Sequence, residues 1–275
     1  MPFIKSSSNV SDPVNIYYED LGKGKNVVFI HGWPLSGSMW EYQVTTLIKH
    51  GIRCITYDRR GFGKSDYPAS GYDYNTLAGD LKAIIEGLDL QDVTLVGFSM
   101  GGGEIAKYFS LYGGERVKKV VLISAVVPYM LQTEDNPDGV PQEAFDKMAK
   151  AMTEDRPTFL EAFNKDFYGV TLLNHPVTEV YLANASNKAM ESSPIATIEC
   201  AKAFATTDFR KDVVKINVPT LIIHGKADKI VPIAPTGDQS AKLINGAKYF
   251  IYEDAPHGLW FTEKETLNND LIEFI

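Results

Sequence analysis

Strand-like apolar runs alternating with stretches of helical period predict an α/β protein, with a mostly parallel sheet and helices on both faces. Three observations carry this. Runs such as Val27–Ile30 and Val93–Val96 are continuously apolar, as strands covered on both faces are. Between such runs lie segments with apolar residues three and four apart, the period of a helix packed on one side. The alternation stops after Ser124 and resumes at Pro219, which predicts a strand-free helical insertion.

Taken in order, Val14 to Tyr18 alternates as a strand does, and Gly22-Lys23-Gly24 closes it with a turn. The buried run Val27–Ile30 ends in His31-Gly32-Trp33-Pro34. Met39 to His50 carries Trp40, Val44, Leu47 and Ile48 at helical spacing, and Ile52 to Tyr57 is the next strand. Tyr74 to Leu88 has a stripe of Leu77, Leu81, Ile84, Ile85 and Leu88, and Val117 to Ser124 is again strand-like. Within the insertion, helical patterns run over Gln142–Met152, Thr158–Tyr168, Val177–Met190 and Pro194–Ala205, divided by prolines and polar turns. The strand Pro219–His224, a helix over Ala234–Ile244, the strand Ala247–Tyr252 and a helix from Lys264 complete the chain. The expected organisation is a core of residues 1–125 and 208–275 and a helical cap of residues 126–207. An insertion at that point sits over the C-terminal edge of the sheet, where such folds bind ligands.

Length and composition suit one large soluble domain. The chain has 275 residues, 44% hydrophobic and 23% charged, with a net charge of −8. That charge gives no general attraction to nucleic acid or to an anionic membrane. No apolar signal stretch occurs in Met1 to Asp12, and no run approaches transmembrane length, so a cytoplasmic protein is expected. Cys54 and Cys200 form no disulfide framework, and no metal-ligand spacing occurs.

Chemistry concentrates at Gly97-Phe98-Ser99-Met100-Gly101. This is G-x-S-x-G in the context it requires, a strand before it and a helix after it. The turn is tight enough to need glycine two residues away on either side, and it lifts the Ser99 hydroxyl above the sheet with helix N–H groups aimed at it. A serine hydroxyl needs a base to take its proton. Of five histidines, His257 in Asp254-Ala255-Pro256-His257-Gly258 follows the last strand at the edge where Ser99 emerges. His31 is expected to brace the loop it begins, and His224 to be packed within its strand. The acid that orients His257 is expected at Asp228, on the loop after the Pro219–His224 strand; Asp254 is too near His257 in sequence to be the better choice. Backbone N–H groups of Trp33 and Met100 are expected to form the oxyanion hole, since Pro34 has no N–H to offer. Trp33, Pro34, Phe98, Ile230 and Val231 are the expected walls of the substrate pocket. Gly61-Phe62-Gly63-Lys64-Ser65 mimics the end of a phosphate loop, but Asp58 stands where that pattern requires glycine.

With these residues placed, the chain resembles the cofactor-free haloperoxidase, or perhydrolase, and aryl esterase branch of the α/β-hydrolases. The matching stretches are His31-Gly32-Trp33-Pro34, Tyr57 to Ser65, Gly97 to Gly103, Asp208-Phe209-Arg210 and Asp254 to Gly258. The resemblance implies the α/β-hydrolase fold, with an eight-stranded sheet and the cap following its sixth strand. It implies the triad Ser99, Asp228 and His257 with the oxyanion donors Trp33 and Met100, no metal and no cofactor, and partners limited to a small ester or carboxylic acid, water or hydrogen peroxide, and further copies of the chain in a homo-oligomer. The implied activity is hydrolysis of small alkyl or aryl esters together with acyl transfer to peroxide, giving a peracid that oxidises halide. The same triad also serves lactonases, amidases and carbon–carbon bond hydrolases, and a slow-turnover ligand sensor is an alternative of another class. Carbon–halogen and epoxide cleavage on this fold requires a carboxylate where Ser99 stands.

Overall fold

The structure, a computed structural model, describes residues 2–8 and 12–275. Met1 and residues 9–11, part of the stretch read above for targeting signals, lie outside the described residues. In chain order the strands are β1 Phe3–Ser6, β2 Val14–Leu21, β3 Lys25–Ile30, β4 Ile52–Tyr57, β5 Val93–Phe98, β6 Val117–Ile123, β7 Thr220–Gly225 and β8 Lys248–Tyr252. They form one eight-stranded sheet of order β1-β2-β4-β3-β5-β6-β7-β8. Pairs β1–β2 and β2–β4 are antiparallel and the others parallel. The two antiparallel strands sit at one margin, where no crossover helix is needed to join them. β1 escapes the sequence pattern because it has four residues and buries only Ser6.

The helices are α1 Glu41–Leu47, α2 Tyr74–Gly87, α3 Met100–Tyr112, α4 Gln142–Phe167, α5 Glu179–Met190, α6 Pro194–Thr206, α7 Arg210–Val213, α8 Gly237–Leu243, α9 Leu259–Thr262 and α10 Lys264–Phe274. The stripes read from sequence bury as expected. Leu77, Leu81, Ile84 and Ile85 of α2 pack with Ile105 and Phe109 of α3 on one face of the sheet. Trp40, Val44 and Leu47 pack with Leu267 and Leu271 of α10 on the other. β5 feeds both: Val93 and Leu95 point into the first core, Val96 and Phe98 into the second. The single-turn helices α7 and α9 were not anticipated; four residues are too few to show a period.

Between β6 and β7 lie α4, α5, α6 and α7, with only isolated bridges at Leu131–Val140 and Thr133–Asn136. The two helical patterns expected over Gln142–Met152 and Thr158–Tyr168 meet as the halves of α4. They break at Asp155, whose φ of −153° and ψ of 82° are not helical. Pro157 cannot donate a helical hydrogen bond, and the Asp155 carboxylate caps the second half by accepting from the Thr158 N–H at 3.2 Å and hydroxyl at 2.7 Å. Among the described residues, no helix is long and apolar enough to cross a membrane.

Arg59 and Arg60 form no surface basic patch. Arg59 Nε donates to Glu104 Oε1 on α3 at 2.6 Å, and Arg60 Nε to Asp80 Oδ2 on α2 at 2.6 Å, with all four side chains buried. Cys54 and Cys200 are both free and buried.

Candidate active site

Ser99 sits between β5 and α3 with φ 53° and ψ −117°. Positive φ is costly for a residue with a Cβ, and the backbone is held there from several sides. The Ser99 N–H donates to Ile123 O at 2.9 Å, and its carbonyl accepts from Gly102 and Val126, each at 3.1 Å. The flanking glycines are required by close approach. A Cβ on Gly97 would stand 2.8 Å from the backbone of Gly101, and one on Gly101 would stand 2.6 Å from Ile30 O.

The loop after β8 brings His257 to this serine, with Nε2 2.9 Å from Ser99 Oγ. Its Nδ1 lies 2.6 Å from Asp228 Oδ2, on the loop after β7. A carboxylate can only accept, so Nδ1 carries the hydrogen and Nε2 is left to accept from the serine. Ser99, His257 and Asp228 are 6%, 1% and 7% exposed, so the chain of bonds is shielded from water. The other Asp228 oxygen accepts from the N–H groups of Ile230 at 2.9 Å and Val231 at 2.8 Å. Burial pushes the Asp228 carboxyl up, but charge and hydrogen bonds from His257 and His224 outweigh it and hold the group below the usual carboxylate range. Asp254 is exposed, and among the described residues its side chain has no hydrogen bond.

The loop after β3 is braced from behind. His31 Nδ1 donates to Gly32 O at 2.8 Å, and Nε2 accepts from the Arg59 N–H at 2.9 Å. Burial, then the charge of Arg59, pushes His31 well below the ordinary histidine value, so this neutral form persists. Arg59 also donates to His31 O at 2.6 Å while Tyr57 donates to Glu104 at 2.7 Å, joining β3, β4 and α3 in one buried network. Among the described residues, neither the Trp33 nor the Met100 backbone N–H has a hydrogen-bond partner. Both donors remain free for a ligand oxygen.

Ser99 and His257 open into a cavity of about 140 Å³. Its walls are Trp33, Val126, Val140, Ala144, Phe145, Met148, Phe163, Phe204, Ile230 and Val231, with the Lys229 side chain also on the lining. Of the five residues expected to wall the substrate pocket, Trp33, Ile230 and Val231 line this cavity. Phe98 and Pro34 do not. Phe98 alternates to the opposite face of the sheet from Leu95, where it packs under the His257 ring at 4.8 Å between centroids. Pro34 is buried beside Trp33 without reaching the cavity. The walls from α4 and α6 were missed because helical spacing marks a packed stripe without saying what it packs against.

Comparison with known proteins shows the family of the chain. A family model described as alpha/beta hydrolase fold matches residues 25–264. The non-heme chloroperoxidase CPO-A1 of Kitasatospora aureofaciens is 41% identical, over 96% of this chain and 97% of its own. The bifunctional esterase/perhydrolase DCH of Acinetobacter calcoaceticus is 40% identical, over 96% and 97%. Among solved structures, a bromoperoxidase from Bacillus anthracis superimposes with a TM-score of 0.94 at 45% identity, over 99% of each chain.

Proposed function

The chain belongs to the α/β-hydrolase fold family, in its non-heme haloperoxidase branch, and from that premise we propose a serine hydrolase of small carboxylic esters that also passes its acyl group to hydrogen peroxide. The observation that carries the reading is the unbroken bond chain from Ser99 through His257 to Asp228 at the floor of an apolar cavity.

In this reading Ser99 Oγ attacks the ester carbonyl while His257 Nε2 takes its proton. The carbonyl oxygen, now negative, is met by the Trp33 and Met100 N–H groups. Asp228 keeps His257 in the Nδ1–H tautomer and stabilises the imidazolium that forms. His257 then gives the proton to the departing alcohol, leaving an acyl group on Ser99. Water or hydrogen peroxide attacks that acyl carbon, again losing its proton to His257, and Ser99 is released with a carboxylic acid or a peracid. The peracid, free in solution, is the halide oxidant.

Residues 126–207 act as a cap that selects the acyl group. The support is that Ala144, Phe145, Met148 and Phe163 of α4 and Phe204 of α6 wall the cavity. Ten apolar wall residues around one lysine suit short alkyl or aryl acyl groups.

The test is product partitioning from one aryl acetate at rising peroxide. A shared acyl-enzyme predicts a peracid-to-acid ratio proportional to peroxide concentration. Peracid formation that stays at the uncatalysed rate would reduce the reading to an esterase.

A further inference from the structure

Resting on the triad reading above, we infer that His224 is a second histidine on the Asp228 carboxylate, a positioning residue that tunes the pH at which His257 works. His224 lies within β7, fully buried after the apolar residues Leu221, Ile222 and Ile223. An imidazole there displaces an apolar side chain and must repay its desolvation. Its Nε2 is 2.9 Å from Val231 O, and a carbonyl only accepts, so Nε2 carries a hydrogen. The same nitrogen is 3.5 Å from Asp228 Oδ2, the oxygen that His257 Nδ1 reaches at 2.6 Å.

Two effects follow. The first is mechanical. Val231 donates its N–H to Asp228 Oδ1 and accepts from His224 at its carbonyl, so both polar groups of one cavity-wall residue are tied to the carboxylate and its neighbour. The second is electrostatic. A fixed N–H beside Oδ2 offsets part of the carboxylate charge, and so weakens the pull of Asp228 on the His257 imidazolium.

Little else competes for the ring. Among the described residues, Nδ1 is buried with no hydrogen-bond partner. It faces Gly237 of α8, where a Cβ would stand 2.8 Å from Nδ1 and 3.0 Å from the Tyr249 hydroxyl. Tyr249 on β8 donates to Asp238 of α8 at 2.8 Å, and burial, with Asp238, pushes its hydroxyl up, so it stays neutral. The titratable groups around His224 are thus Asp228, His257 beyond it, Tyr249 and Asp238.

The experiment is the pH profile of kcat/KM for an aryl ester in wild type, His224→Leu, His224→Gln and Gly237→Ala. Leucine fills the space without an N–H, while glutamine returns an N–H near the position of Nε2. In His224→Leu the acidic limb is expected about half a pH unit higher, because an uncompensated Asp228 holds the His257 proton more tightly. Its kcat is expected to fall roughly tenfold, because the Asp228 carboxylate that orients His257 is held less firmly. His224→Gln should restore the limb and most of kcat. Gly237→Ala, whose methyl group would stand 2.8 Å from Nδ1 and displace the ring, should shift the limb with His224 itself retained and serves if His224→Leu does not fold. A limb that stays put in the folded variants, or one displaced equally by glutamine and leucine, overturns the inference. A wild-type enzyme without an acidic limb would instead overturn the triad reading on which it rests.

Discussion

The indole Nε1–H of Trp33 donates to the carbonyl oxygen of Thr197 at 2.9 Å, which ties the loop after β3 to α6. The ring is held edge-on by Phe163 and Phe204, with centroids at 5.3 and 5.7 Å. One residue thus offers a backbone N–H to the site and a side chain to the cap. Trp33→Phe keeps the backbone donor and removes the latch. We expect a loss of about 1 kcal/mol in stability, the net worth of one hydrogen bond. We also expect a several-fold fall in kcat/KM, carried mainly by kcat because the donor is held less firmly. Thermal denaturation and initial rates check this; a change in KM alone would place the effect in the pocket.

His31 predicts a pH-dependent stability. Its folded-state value lies well below the ordinary one, so the unfolded chain binds a proton that the folded chain refuses. Stability is therefore full above about pH 6.5 and falls as pH drops below it, by up to about 1.4 kcal/mol per unit, until the folded ring is protonated. Asp228, depressed in the fold, adds a loss in the same direction only below about pH 3.9. Urea denaturation between pH 7.5 and 5 should show the slope. His31→Gln should flatten it by about one proton, and an unchanged slope would assign the proton elsewhere.

Met148 on α4 is half-buried and walls the cavity. Met148→Ala should enlarge the acyl site and move preference toward longer acyl chains. A difference of about one to two methylenes is worth roughly 10- to 100-fold in relative kcat/KM. A panel of p-nitrophenyl esters of increasing chain length reads this directly. Equal losses across the panel would show general damage and no role in selection.

Much of this site was legible in the chain because its chemistry is local or topological. The Ser99 elbow needs small residues at Gly97 and Gly101, and those glycines are visible without a structure. Asp228 and His257 stand out by their places after successive strands of a parallel sheet, and the structure brings both into one hydrogen-bonded chain with Ser99. The contact between His224 and Asp228 depends on how the loop after β7 folds back, which no periodicity encodes. Phe98 was misplaced for a related reason. Adjacency to the nucleophile in sequence puts a β5 side chain on the opposite face of the sheet. β1 was missed because a short, mostly exposed strand at a sheet margin has no buried face to impose a pattern.

The most direct test of the account is Ser99→Ala, assayed for ester hydrolysis and for peracid formation on the same preparation. The hydroxyl 2.9 Å from His257 Nε2 is the only protein nucleophile in the proposed mechanism, and the Ser99 side chain makes no other hydrogen bond among the described residues. The variant should therefore fold with wild-type stability. Both activities should fall together by about a thousandfold or more, leaving only what binding and the oxyanion donors supply. Loss of hydrolysis with peracid formation retained, or near wild-type rates in both, would contradict a shared acyl-enzyme on Ser99.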